Sequence, residues 1–146
     1  MPCKFAGHFY FALFWMNNML TDSQQDIKIM VSSKYEEAQS QPEKRYFLFS
    51  YTITIENKGE NPVQLLNRHW DIYDSLNLQR MVDGVGVVGE QPILEKNQSF
   101  TYTSACDLFS EIGKMKGYYE FKDLVTNNTF KVQIPEFELV TLAKLN

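Results

Sequence analysis

Phe47-Leu48-Phe49-Ser50-Tyr51-Thr52-Ile53-Thr54-Ile55-Glu56 decides the fold. Its odd positions are aromatic or β-branched, and its even positions are mainly hydroxylated or charged. A period of two over this length is a strand with one face in a core and the other largely wet. Asn57-Lys58-Gly59-Glu60-Asn61-Pro62 ends it as a turn-forming cluster.

Upstream, Ile27, Ile29 and Val31 alternate with Lys28, Met30 and Ser32, which predicts a half-buried strand from Asp26. The polar stretch 33–45, broken by Gln41-Pro42-Glu43-Lys44, reads as a connection. Downstream, Val63, Leu65 and Leu66 open another extended segment. Trp70 and Ile72 then share one face against His69, Asp71 and Tyr73, and Trp70 is the expected keystone of the core. Leu78 to Val82 predicts a short strand leading into a glycine loop. Beyond Pro92, Ile93 and Leu94 precede a polar turn at Lys96-Asn97-Gln98, and Phe100 and Tyr102 oppose Thr101 and Thr103. Met115, Gly117, Tyr119 and Phe121 fall together, as do Phe130, Val132 and Ile134, with a last short strand expected at Phe137 and Leu139 after Pro135. No segment after residue 20 keeps a helical period for three turns. Seven to nine short strands with turn signals about every 8 to 12 residues predict an all-β chain folded as an antiparallel β-sandwich.

The chain has 146 residues, 44% of them apolar and 14% aromatic, which is enough for one real core and too little for two comfortable domains. A net charge of -4 and no basic run longer than Lys44-Arg45 leave no footprint for a phosphate backbone, so nucleic acid is not an expected partner. Cys3 and Cys106 are the only cysteines, far below the density of a disulfide-stapled secreted domain, and a reducing, cytoplasmic setting is expected. The glycosylation patterns at Asn97 and Asn127 therefore read as chance matches in polar turns.

Residues 1–20 differ in kind, with aromatic and apolar side chains crowded from Phe5 to Met16 and Lys4 as the sole formal charge. The run is short for a membrane span, and it lacks the small-residue cleavage site of a signal peptide. It is read as a non-domain extension preceding a domain over 21–146, with translation expected to begin at Met16 or Met19.

Four separated motifs carry a resemblance: Val63 to Ile72, Gly84 to Pro92, Phe100 to Ser104, and Met115 to Tyr119. In this order and spacing, over about Ile27 to Leu142, the chain resembles the ApaG family. The resemblance implies a fibronectin type III-like or immunoglobulin-like sandwich and a non-catalytic interaction module, in a family linked to cobalt and magnesium resistance. It supplies no catalytic residues and implies no cofactor.

Asp83-Gly84-Val85-Gly86-Val87-Val88-Gly89-Glu90-Gln91-Pro92 satisfies the Gly-x-Gly-x-x-Gly string, but a dinucleotide fingerprint needs a helix next, and here a β pattern follows. A structural turn is the plainer reading. Gly84, Gly86 and Gly89, with Arg80 adding charge, are the candidate ligand-binding residues if the loop amides form a phosphate or pyrophosphate nest. His69 and Asp71, with Asp74, Asp83 and Glu90, could supply one imidazole and several oxygens to a divalent cation, yet no His-x-His pair or cysteine cluster supports a specific metal site. Cys106 with His69 as a nucleophilic pair has less support still, because Cys106 reads as a packed small hydrophobe. The remaining class is a binding module that takes a protein partner, or a second copy of the chain, through strand edges and apical loops, with Phe109, Tyr118 and the glycine loop as the apolar patch.

Overall fold

A computed structural model describes residues 20–24, 26–76 and 78–141. The reading of residues 1–20 falls, apart from Leu20, outside them. Among the described residues nine strands run in chain order: β1 (Leu20–Gln24), β2 (Ile27–Tyr35), β3 (Phe47–Asn57), β4 (Val63–Asp74), β5 (Leu78–Val85), β6 (Ile93–Leu94), β7 (Ser99–Leu108), β8 (Ile112–Asp123) and β9 (Thr129–Val140). Two antiparallel sheets form, ordered β1-β2-β3-β7 and β5-β4-β8-β9, with β6 added to β4. This is the predicted sandwich. No helix of the described residues is long and apolar enough to cross a membrane.

The alternation in β2 and β3 places Ile27, Ile29, Val31, Phe49, Ile53 and Ile55 in the core, essentially without exposure. On the far face, Thr52 and Thr54 meet Thr103 and Thr101 of β7 through hydroxyl pairs at 2.9 Å, a polar rail that fixes the β3–β7 register. Trp70 is buried, as expected, with edge-on contacts to Tyr51, Phe137 and Tyr119 at 5.5, 5.9 and 6.5 Å between ring centroids. Asn57 is buried too: its amide donates to the Asn61 and Leu94 carbonyls at 2.9 Å and accepts from the Gly59 N–H, locking the β3–β4 turn.

Three elements differ from the sequence reading. The connection after β2 holds two short 3-10 turns, Glu37–Gln39 and Pro42–Lys44. Phe137 and Leu139 belong to the same strand as Phe130, because the β8–β9 register shifts between Met115 and Gly117 and a bulge accommodates Pro135 without needing its absent N–H. Finally, β5 continues through Gly84 to Val85, so the turn begins only at Gly86.

One flank of the sandwich is closed and the other open. On the closed side β9 lies against β1 and β2, and Ser33 Oγ donates to the Glu138 carbonyl at 3.0 Å. On the open side stand the two remaining edge strands, β5 and β7.

Candidate functional site

A bulge sets up the open flank. The β4–β8 register shifts between Leu65 and Asn67, leaving Leu66 as the extra residue. Before it, Val63 and Leu65 face the core; after it, Trp70 and Ile72 do. The changed phase turns Arg68 inward and His69 outward.

Arg68 pairs across the ladder with Gly84, where a Cβ would lie 2.5 Å from the Arg68 Cζ. The guanidinium thus occupies the space a side chain at position 84 would fill. From there Nη1 donates to the carbonyls of Val85, at 3.2 Å, and Gly86, at 2.8 Å. Arg80 and Val82 occupy the same face of β5 as Gly84. They border a cleft of about 420 Å³ between β5 and β7, with Tyr51, Trp70, Ser104 and Cys106 further in. Arg80 reaches across it, donating to the Asp107 carbonyl and lying 3.5 Å from the Asp107 carboxylate. Burial pushes the Cys106 thiol above its ordinary range, although Arg80 opposes this, so Cys106 is protonated at neutral pH.

On the outer face of the same sheet, His69 Nδ1 lies 2.6 Å from Asp83 Oδ1 and Nε2 lies 3.3 Å from Asp71 Oδ2. Hydrogen bonding to Asp83 is the main reason the imidazole pKa is raised. Its ring stacks on Tyr118, 4.9 Å between centroids, and Lys131 Nζ sits 4.5 Å from the Tyr118 ring on a neighbouring strand. Tyr118 is therefore a half-buried strut rather than an open patch.

The sequence-predicted residues are distributed as follows. Gly86 and Gly89 lie in one turn, with φ of 65° and 80°. Its amides at Gly86, Val87 and Glu90 donate to the carbonyls of Leu66, Glu90 and Val87. Gly84 is in β5, and Arg80 is directed to Asp107. Arg80 and Gly86 are six positions apart, about 20 Å along an extended strand. The cation beside the glycines is Arg68, which sequence reasoning missed; the available signal was its shared parity with Trp70 and Ile72.

His69 and Asp71 are brought together, with Asp83. A carboxylate faces each ring nitrogen, so the protonated imidazole donates to both and in that form has no lone pair for a metal. Among the described residues, no group of three or more His, Cys, Asp or Glu side chains is arranged to hold a metal ion. Asp74 is instead buried at the end of β4, accepting from Phe109 N at 2.6 Å and Leu76 N at 3.2 Å. His69 and Cys106 face opposite ways, outward from one sheet and inward from the other, so they form no dyad.

A model of the ApaG domain family matches residues 37–123, from the first 3-10 turn to the end of β8. The chain is 40% identical over 127 residues to protein ApaG of Pseudomonas aeruginosa, covering 87% of this chain and 100% of that one. It is 44% identical over 116 residues to protein ApaG of Dechloromonas aromatica, covering 79% and 90%. Among solved structures, the ApaA protein of Bordetella pertussis superposes with a TM-score of 0.77 at 36% identity, over 86% of this chain and 97% of that one.

Proposed function

The chain belongs to the ApaG family, and from that premise we propose that it is a non-catalytic binding module that takes an extended segment of a protein partner along the free edge of β5. The single observation that carries this is the character of that edge. Natural sandwiches protect edge strands with charge, proline, bulges or a covering element. On β5 the charged residues Arg80 and Asp83 each have one partner, Asp107 and His69, while their side chains stay 42% and 74% exposed. Beside these charges and the exposed Gln79 the strand also leaves apolar side chains to solvent: Met81 is 65% exposed, Val85 67% and Val82 38%.

The backbone is oriented for strand addition. Gly86 N donates to Leu66 O at 2.8 Å. By alternation, the N–H groups of Val85, Asp83, Met81 and Gln79 then point away from β4, toward the edge. An incoming strand gains main-chain hydrogen bonds there and buries the exposed valines and methionine. A phosphate nest at the glycine turn has less to rest on, because three of the turn's amides already donate to carbonyls.

A photo-crosslinking residue placed at Met81 in the source cell tests this. A discrete protein adduct at Met81, absent at Lys34 on β2 and lost when Val85 is also changed to Pro, is the expected result. An equal adduct pattern at Met81 and Lys34, or no adduct at Met81, overturns it.

A further inference from the structure

We propose that the segment docking on β5 carries acidic residues at two positions four apart, with an apolar residue midway between them. The inference rests on the edge-docking reading above and states what that edge selects.

Alternate side chains of an added strand point to one face, and directly opposed Cβ atoms lie about 4.5–5.5 Å apart. Three consecutive inward side chains of the partner therefore stand beside Arg80, Val82 and Gly84. Beside Val82, which is partly exposed over the cleft, an apolar side chain fits. Beside Gly84 the neighbour is the Arg68 guanidinium, with Cζ, Nη1 and Nη2 at 2.5, 2.6 and 2.7 Å from the Cβ position that glycine leaves vacant. A carboxylate on the opposed residue of the partner is within one side chain's reach of it.

Arg68 is built to receive an acid. Its Nη1 donates to main-chain carbonyls, and no carboxylate of the described residues pairs with it, unlike Arg80. A half-buried planar guanidinium with unfilled donors is the group that binds carboxylate bidentately. At the other end, Arg80 engages Asp107 through Nη2 alone, so further donors remain for a second acid. Asp107 weakens that position relative to the one over Gly84. The pattern acid-x-apolar-x-acid reads the same in both chain directions, so it holds for parallel and antiparallel addition alike.

The test uses the full chain, isotopically labelled for amide spectroscopy, and short extended peptides centred on Glu-Thr-Val-Thr-Glu or on Gln-Thr-Val-Thr-Gln. Both peptides are expected to shift the amides of Gln79 to Val85, with the glutamate peptide binding about tenfold tighter and losing that advantage in high salt. Arg68→Gln is expected to remove most of the preference and Arg80→Gln a smaller part. If Arg68→Gln fails to fold, the peptide pair and Arg80→Gln carry the test. Equal affinity of the two peptides, with the β5 amides still moving, overturns the acid pattern and leaves edge docking standing. Unmoved β5 amides with every peptide overturn both.

Discussion

Gly84 and Arg68 share one volume: the guanidinium lies where a β-carbon on residue 84 would be, 2.5 Å from Cζ. The conflict created by Gly84→Ala is with the far end of a flexible side chain, so the backbone can stay while the arginine swings away. The hydrogen bonds to the Val85 and Gly86 carbonyls are then lost. The expected cost is about 1 kcal/mol in urea unfolding, together with altered amide shifts at Val85 and Gly86. An unchanged midpoint and unmoved shifts would show that the guanidinium does not occupy that place in solution.

Gly117 gives the opposite outcome for the same substitution. A β-carbon there would lie 1.9 Å from the His69 carbonyl oxygen and 3.1 Å from Trp70 Cε3. Neither main chain nor a packed indole can yield without opening the β4–β8 ladder. Gly117→Ala is therefore expected to cost about 3 kcal/mol or more, or to prevent folding. A melting temperature within a few degrees of the parent would contradict the close approach.

Val88 carries strain that an exposed substitution can release. It and Gly89, at the centre of the Val87–Glu90 turn, have φ of 43° and 80°. Positive φ at both central positions is the pattern of hairpin turns that favour Asn-Gly, whereas a β-branched residue there is an outlier. The Val88 side chain is mostly exposed, so removing it forfeits little packing. Val88→Asn is expected to stabilise the domain by about 1 kcal/mol, read as a higher urea midpoint. A lower midpoint would mean the valine is held by contacts that outweigh the strain.

How far the molecule was legible follows from where its pattern is regular. Ile27 to Val31 and Phe47 to Ile55 lie on unbulged strands, so parity alone assigns their faces. The bulges are where sequence parity stops reporting. Leu66 shifts the phase of β4, and Pro135 joins two apparent strands into one. The glycine string was visible, but the partner of its Gly86 amide is Leu66, twenty residues away in sequence. Arg80 was assigned to those glycines because it is near in sequence, whereas extension of β5 carries it toward Asp107. Arg68 reaches Gly84 only through the β4–β5 pairing, a long-range register that no local spacing encodes.

Between β4 and β5, the His69–Asp83 pair makes stability depend on pH with a definite sign. The folded imidazole has a raised pKa, caused first by Asp83 and supported by Asp71. The folded state binds the proton more tightly than the unfolded chain. The stabilisation is fully present below the unfolded value of about 6.5 and is lost as pH rises through the higher folded value. His69→Gln is expected to flatten the stability profile across that window, measured by urea unfolding at half-unit pH steps. The same slope in variant and parent would remove His69 as its source.

Buried between the sheets, the hydroxyls of Tyr102 and Tyr119 bond to each other at 2.5 Å, one from β7 and one from β8. Burial raises both phenol pKa values, so each stays neutral and the pair shares one hydrogen bond across the core. Removing one hydroxyl leaves the other dry and unpaired, at a cost of about 1–3 kcal/mol, whereas removing both replaces a polar pair with two rings of the same shape. Tyr102→Phe and Tyr119→Phe are each expected to destabilise, and the double variant to recover part of the loss. Additive losses in a double-mutant cycle would show instead that each hydroxyl has a separate partner, such as buried water, and that the sheets are not joined through this bond.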